Sequence, residues 1–296
     1  MAFAFKRKES VSAGLRRVVR EEMSSGEAEL LDAGIPDDRV VHETRKRLKR
    51  LRALLRLVEP QLPRKDFRDR NRALRDLGRA LSGARDAAVI LTTLRTLADA
   101  PGMPSVEPLH RYLSEQYGAA QAGDDQLKAQ RHAVAAALRE RRAEMVALPS
   151  RGKGFARIAP GLERTYRRGR EALGVALVDG DDELWHTWRK RTKEHWIQMR
   201  LLRPVWPEMM KAQARALGTL SDLLGDDHDL TVVDTVLVGL PEGVMEPSAI
   251  ARLRAQVAEQ KGSLRARGLS LGQRVYAEKP KALQKRLHAY WRAWRP

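Results

Sequence analysis

VHETRKRLKRLRALLRL, residues 41–57, sets seven lysines and arginines and one histidine among five leucines. At about 100° per residue, His42, Arg45, Lys46, Lys49, Arg52 and Arg56 share a helical sector of roughly 120°. Leu48, Leu51, Leu55 and Val58 form the opposite stripe, at the spacing of a helix docked on a core. Like charges three or four residues apart repel by a few tenths of a kcal/mol per pair. Glu43 is expected to point away from the cations, which would leave the basic face waiting for an anion.

LWHTWRKRTKEHWIQMRLLR, residues 184–203, repeats the arrangement. His186, Arg189, Lys190 and Lys193 match His42, Arg45, Lys46 and Lys49 at an offset of 144, and Arg200 stands where Arg56 does. Trp196 takes the place of Arg52. His195 falls at the place of Leu51, on the apolar side, and is expected to be a core histidine with its hydrogen bonds satisfied. One charged helix is usually a solvated face; two that keep the same residue order point to a site.

A second block repeats at nearly the same offset, LSGARDAAVI at 81–90 and LLGDDHDLTV at 223–232, with Asp86 matched to Asp229 at 143. Two blocks at one offset indicate a tandem duplication. Each block is expected to end one helix and begin another. Leu81 and Leu224 close the first helix, Gly83 and Gly225 serve the turn, and Asp86 and Asp229 cap the next helix. Arg85 and His228 share a position and are candidates to face the basic site. Asp226, Asp227, His228 and Asp229 invite a metal reading, but consecutive residues rarely converge on one ion, so no metal is expected.

Elsewhere the chain is rich in helix formers and shows no strand pattern. Gly34-Ile35-Pro36, Glu59-Pro60, residues 100–104 and residues 149–154 break it, and the last is the expected linker between a first unit at 1–148 and a second at 155–296. Asp37-Asp38 and Asp181-Asp182 precede the two basic helices, where they can cap them. Further basic clusters are Arg164, Arg167 and Arg168, and Arg16, Arg17 and Arg20.

Among 296 residues, 56 lysines and arginines face 38 acidic residues, a formal charge of +18, while 43% are hydrophobic. A packed core is therefore feasible, and the imbalance calls for a polyanionic partner. There is no cysteine, so disulfides and thiolate metal sites are excluded. MAFAFKRKES is unlike a secretory signal, and no apolar run is long enough to span a membrane, so the expected setting is cytoplasmic.

The paired His-x-x-Arg-Lys-x-x-Lys helices, the Arg85-Asp86 turn and Asp226-x-His228-Asp229 resemble the CHAD family, the conserved histidine α-helical domain. The resemblance extends over nearly the whole chain. It implies an all-α fold of two pseudo-symmetric helical bundles whose histidine-bearing helices enclose a basic cavity. It also implies binding of inorganic polyphosphate, in a cytoplasmic protein associated with polyphosphate granules. Carried over by position, the ligands are His42, Arg45, Lys46, Lys49, Arg52, Arg85, His186, Arg189, Lys190, Lys193 and His228; Arg56 and Arg200 join them as members of the same two basic faces, and Arg164 and Arg168 are candidates for a further wall or else ordinary surface. Trp196 in place of a second arginine departs from the pattern, as does Ala87 where a larger apolar residue is usual.

Nucleic acid is the alternative partner. Aromatic residues are only 5% of the chain, and the first basic helix has none, so a base-stacking platform is poorly supplied. No phosphate-binding loop or Glu-x-Glu-x-Lys pattern suggests phosphoryl transfer, so a binder without catalysis or cofactor is expected. Histidines among cations should have lowered pKa values when empty and take up protons as phosphate binds.

Overall fold

The computed structural model describes residues 3–81, 83–120, 123–148, 153–178 and 180–295, with side chains except at 83–88, 117–120 and 123–125. Among the described residues eleven α-helices run in order: α1 Val11–Leu31, α2 Asp37–Val58, α3 Arg64–Ala80, α4 Gly83–Ala98, α5 Glu107–Ala120, α6 Gly123–Val146, α7 Ala159–Val178, α8 Asp182–Leu201, α9 Pro207–Val238, α10 Pro247–Val275 and α11 Pro280–Trp294. No strand occurs among the described residues. The fold is all-α, as expected.

Local chemistry sets many of the helix starts. Proline begins α9, α10 and α11, where its missing N–H costs nothing. Ser10 caps α1 by accepting from the Ala13 N–H, and Asp181 caps α8 by accepting from the Glu183 N–H at 2.9 Å. Asp37 and Asp38 instead occupy the first turn of α2, behind a Pro36 cap that offers no side-chain bond. They suit the helix dipole, and Asp37 additionally holds Arg131 of α6.

The first half packs α1 against α2 and α6, with α3 bridging α2 and α6. In the second half, α8 lies between α7 and α9, α10 packs on α9, and α11 on α7. The halves meet where α2 crosses α7 and α8. Gly161 makes the α2–α7 crossing close, because a Cβ there would overlap the Leu57 backbone. Gln198 ties the seam, donating to the Ala53 carbonyl and to Thr165 Oγ1, each at 3.1 Å. One large core runs through this seam, from Phe5 and Met23 to Trp188 and Trp291.

A second core draws on both sides of residues 149–154. Ile90, Leu94 and Leu97 of α4 and Leu109 and Leu113 of α5 pack on Leu230, Val233 and Leu237 of α9 and Leu253 and Val257 of α10. Part of the first half thus finds its apolar partner in the second.

The second repeated block also differs from expectation. In the first copy the chain breaks after Ala80, but Asp86 lies inside α4 rather than at its cap. In the second copy there is no break, since α9 is continuous and Asp229 is mid-helix. A glycine costs a helix interior about 1 kcal/mol. Here Leu223, Leu224, Leu230 and Val233 bury apolar surface on both sides of Gly225, which offsets that cost. Gly225 makes no turn: it sits mid-helix, and a Cβ there would meet the Arg189 guanidinium in ordinary van der Waals contact. The side chains of Arg85, Asp86 and Ala87 lie outside the described residues.

Candidate functional site

The site grows from α2 and α8. Leu48, Leu51, Leu55 and Val58 are at most 2% exposed, so the apolar stripe of α2 is wholly in the core. On α8, Trp188, His195, Met199 and Leu202 do the same. With those faces fixed, the opposite faces of the two helices carry the repeated cations.

On α2, Arg45 and Arg52 lean on α3: Arg45 Nη1 reaches the Gly78 carbonyl at 3.5 Å, and Arg52 Nε donates to Asn71 Oδ1 at 3.0 Å. Burial holds the Arg52 guanidinium below the usual arginine range, helped by repulsion from Arg56, Arg75 and Arg191 and opposed by Glu194. Lys49 is exposed and His42 half-exposed. Glu43 does not point away as expected: Lys46 Nζ is 2.8 Å from its carboxylate, and His42 Nε2 is 4.0 Å from it. Long side chains three residues apart on a helix reach each other readily.

On the α8 side, His186 stacks on His228 of α9 with ring centroids 4.0 Å apart and planes at 27°. The pKa of His186 is pushed down to about 4 by burial first, then by His228, Lys190 and Arg189, against Glu183. His228 is likewise pushed to about 4 by burial, Arg189 and Lys190, against Glu183 and Asp182. His186 Nδ1 and Arg189 Nε are buried without a hydrogen-bond partner in the protein. Buried polar atoms left unpaired are costly and mark a place where a ligand can supply the partner.

Lys193 is held below the ordinary lysine range by burial, and by Arg189, Arg200 and Lys46, with Asp222 opposing. Lys46 of α2 is thus near enough to repel Lys193 of α8. Lys193 Nζ and Arg200 Cζ lie 4.2 and 4.7 Å from the Trp196 ring centroid, cation–π contacts that brace both side chains. Lys190 is paired loosely with Glu183 at 3.4 Å.

Three further expected ligands are engaged by protein carboxylates. Arg168 grips Glu59 through two bonds of 3.0 and 3.1 Å, Arg164 reaches the same carboxylate at 3.2 Å, and Arg56 meets Glu194 at 2.6 Å. These pairs link the first half to the second. Arg17 is similarly committed to Glu9 and Glu21. His195 is fully buried as expected, against Tyr166 and Tyr276, yet neither ring nitrogen has a hydrogen bond. Burial pushes its pKa down to about 3, with a smaller contribution from Arg286. In the acidic run at 226–229, buried Asp227 is bound by Arg265 Nε at 2.8 Å. Among the described residues no cluster of three or more His, Asp or Glu could hold a metal.

The CHAD domain model matches residues 19–238, a span that contains both basic helices and the stacked histidines. The chain belongs to the CHAD family. The crystal structure of the CHAD domain from the plant Ricinus communis matches with a TM-score of 0.60 at 20% identity, over 91% of this chain and 95% of that one. No curated protein matches the sequence. Two residues of this CHAD domain that repeat spacing does not single out also belong to the site: Asn71, which holds Arg52, and Arg75, which adds to its cationic surroundings.

Proposed function

We propose that the protein binds inorganic polyphosphate, without catalysis, between the basic faces of α2 and α8. Polyphosphate binding is a property associated with the CHAD family. The observation that carries the reading is the pair of walls itself. His42, Arg45, Lys46, Lys49 and Arg52 stand on one side, and His186, Arg189, Lys190, Lys193, Arg200 and His228 on the other. The α8 wall carries two buried polar atoms with no partner in the protein, and each wall carries a desolvated cation.

A guanidinium fork suits two phosphate oxygens at once, and lysine ammonium groups follow a flexible chain as mobile point charges. A polymer with roughly one charge per phosphate engages both walls and releases counterions, so affinity falls steeply with salt. No helix among the described residues is long and apolar enough to cross a membrane. The proposed setting is the cytoplasm, at polyphosphate granules.

Titration with polyphosphates of several lengths tests the reading. Lys49→Ala and Lys193→Ala should each weaken binding, with no phosphate released. Unchanged affinity in both variants would move the site elsewhere, and displacement of polyphosphate by single-stranded DNA at equal charge concentration would favour nucleic acid as the ligand.

A further inference from the structure

Helix α3 carries a second cationic feature that repeat matching does not reveal. Arg64, Arg68, Arg72, Arg75 and Arg79 are spaced by four, four, three and four residues. At about 100° per residue they fall within a sector of about 80°. Leu74, the buried residue of α3, lies about 100° away from Arg75. Arg64, Arg68, Arg72 and Arg79 are exposed, and Arg75 is half-buried. Asp66, Asp69 and Asp76 all lie outside the sector. The stripe is about 22 Å long at 1.5 Å per residue.

The stripe is continuous with the cavity. Asn71, one turn before Arg75, accepts from Arg52, and Arg75 itself repels Arg52. Arg75 and Arg79 share Asp76 at 3.0 and 4.0 Å, and Lys65 takes Asp69 at 2.8 Å. Exposed pairs of this kind contribute little and yield readily to a polyanion.

The second half lacks the same exit. At the offset of 143, Lys211 and Arg215 keep the charge of Arg68 and Arg72. Gly218 replaces Arg75, and Asp222 replaces Arg79. Trp196, which stands for Arg52, packs over Gly218, where a Cβ would lie 3.2 Å from its Nε1. An indole and a carboxylate therefore sit where the first half has two arginines.

We propose that the α3 arginines form a track that leads a polyphosphate chain out of the cavity over the first half. Long chains are then held at two contiguous sites and short ones in the cavity alone. The inference rests on the polyphosphate reading and adds a direction and a chain-length preference to it.

The test combines Arg64→Gln, Arg68→Gln and Arg72→Gln in one variant, with Lys211→Gln/Arg215→Gln as the counterpart and Lys193→Ala as the cavity control. All five substituted arginines and lysines of the two track variants are exposed, and circular dichroism confirms folding. Titrations use tripolyphosphate and a long-chain polyphosphate at several salt concentrations. The α3 variant should lose about 50-fold in long-chain affinity at 0.15 M salt, and its log–log salt slope should fall by about 2, from roughly 0.7 per lost contact. Its tripolyphosphate affinity should match wild type, and the counterpart should bind both probes normally. Equal long-chain binding by the α3 variant and wild type, while Lys193→Ala fails, overturns the track and leaves the cavity standing. An equal loss in the counterpart overturns the direction. If wild type binds neither probe, both readings fall.

Discussion

Lowering the pH from 7.5 to 5.0 should tighten polyphosphate binding roughly 25-fold through the stacked histidines. In the free protein His186 and His228 have pKa values of about 4, so both are neutral through that range. Their surroundings are mixed: Arg189 and Lys190 oppose protonation, while Glu183 and Asp182 favour it only partly. A bound polyanion offsets the cations and restores at least one histidine to its ordinary value near 6.5. With rings 4.0 Å apart, the pair takes one proton rather than two. At pH 5.0 the bound state then carries that proton about 30 to 1, and the free state about 1 to 10. The ratio amounts to about 1.4 log units of affinity that is nearly absent at pH 7.5. The internal phosphates of the chain stay ionised across this range. Titration of a labelled polyphosphate at constant ionic strength reads the effect, and His186→Gln/His228→Gln should flatten it. A flat wild-type profile, or an equally steep one in the double variant, would refute the reasoning.

Other consequences concern stability. Burial lowers the pKa of His195 to about 3, so the unfolded chain binds a proton there that the folded chain refuses below about pH 6.5. Stability is therefore lost as pH falls, and His195→Leu should gain about 3 kcal/mol on wild type between pH 7 and 4.5, measured by urea unfolding at both; parallel pH profiles would contradict this. Gly161→Ala drives a methyl into the Leu57 backbone and should destabilise by about 3 kcal/mol; a melting temperature equal to wild type would mean that α2 and α7 separate freely. Glu59→Gln removes the carboxylate held by Arg164 and Arg168 and should cost about 2 kcal/mol; an unchanged urea midpoint would show that the network adds nothing to the seam.

The parts of the molecule legible in the sequence are those that depend on local periodicity. The buried stripe of α2, the matching wall of α8 and the fully buried position of His195 all follow from residue spacing along one helix. Asp181 caps as its type suggests, whereas Asp37 does not, because Pro36 and the contact with Arg131 set that helix start differently. Glycine is the ambiguous signal: Gly225 reads as a turn residue, yet it sits in mid-helix. Tertiary partners are the larger gap. The ties of Arg56 to Glu194, and of Arg164 and Arg168 to Glu59, join residues over a hundred positions apart, which no spacing encodes. The arginines of α3 escape repeat matching because only two of the five have cationic counterparts in the second half. What differs between the halves is invisible to a method that looks for what they share.

The second core has a consequence for the order in which the chain is made. Leu94 of α4 packs in the cluster that contains Val233 of α9, and about 140 residues separate them. At a synthesis rate of roughly 5–20 residues per second, α4 and α5 wait on the order of 7–28 s for their partner to emerge. During that interval Ile90, Leu94, Leu97, Leu109 and Leu113 have only one another, without the apolar faces of α9 and α10 that complete their core. The nascent first half thus presents an unfinished apolar face until α9 emerges. A chain stalled before α9 is complete should be cut by protease in α4–α5 while α1, α2 and α6 are already protected.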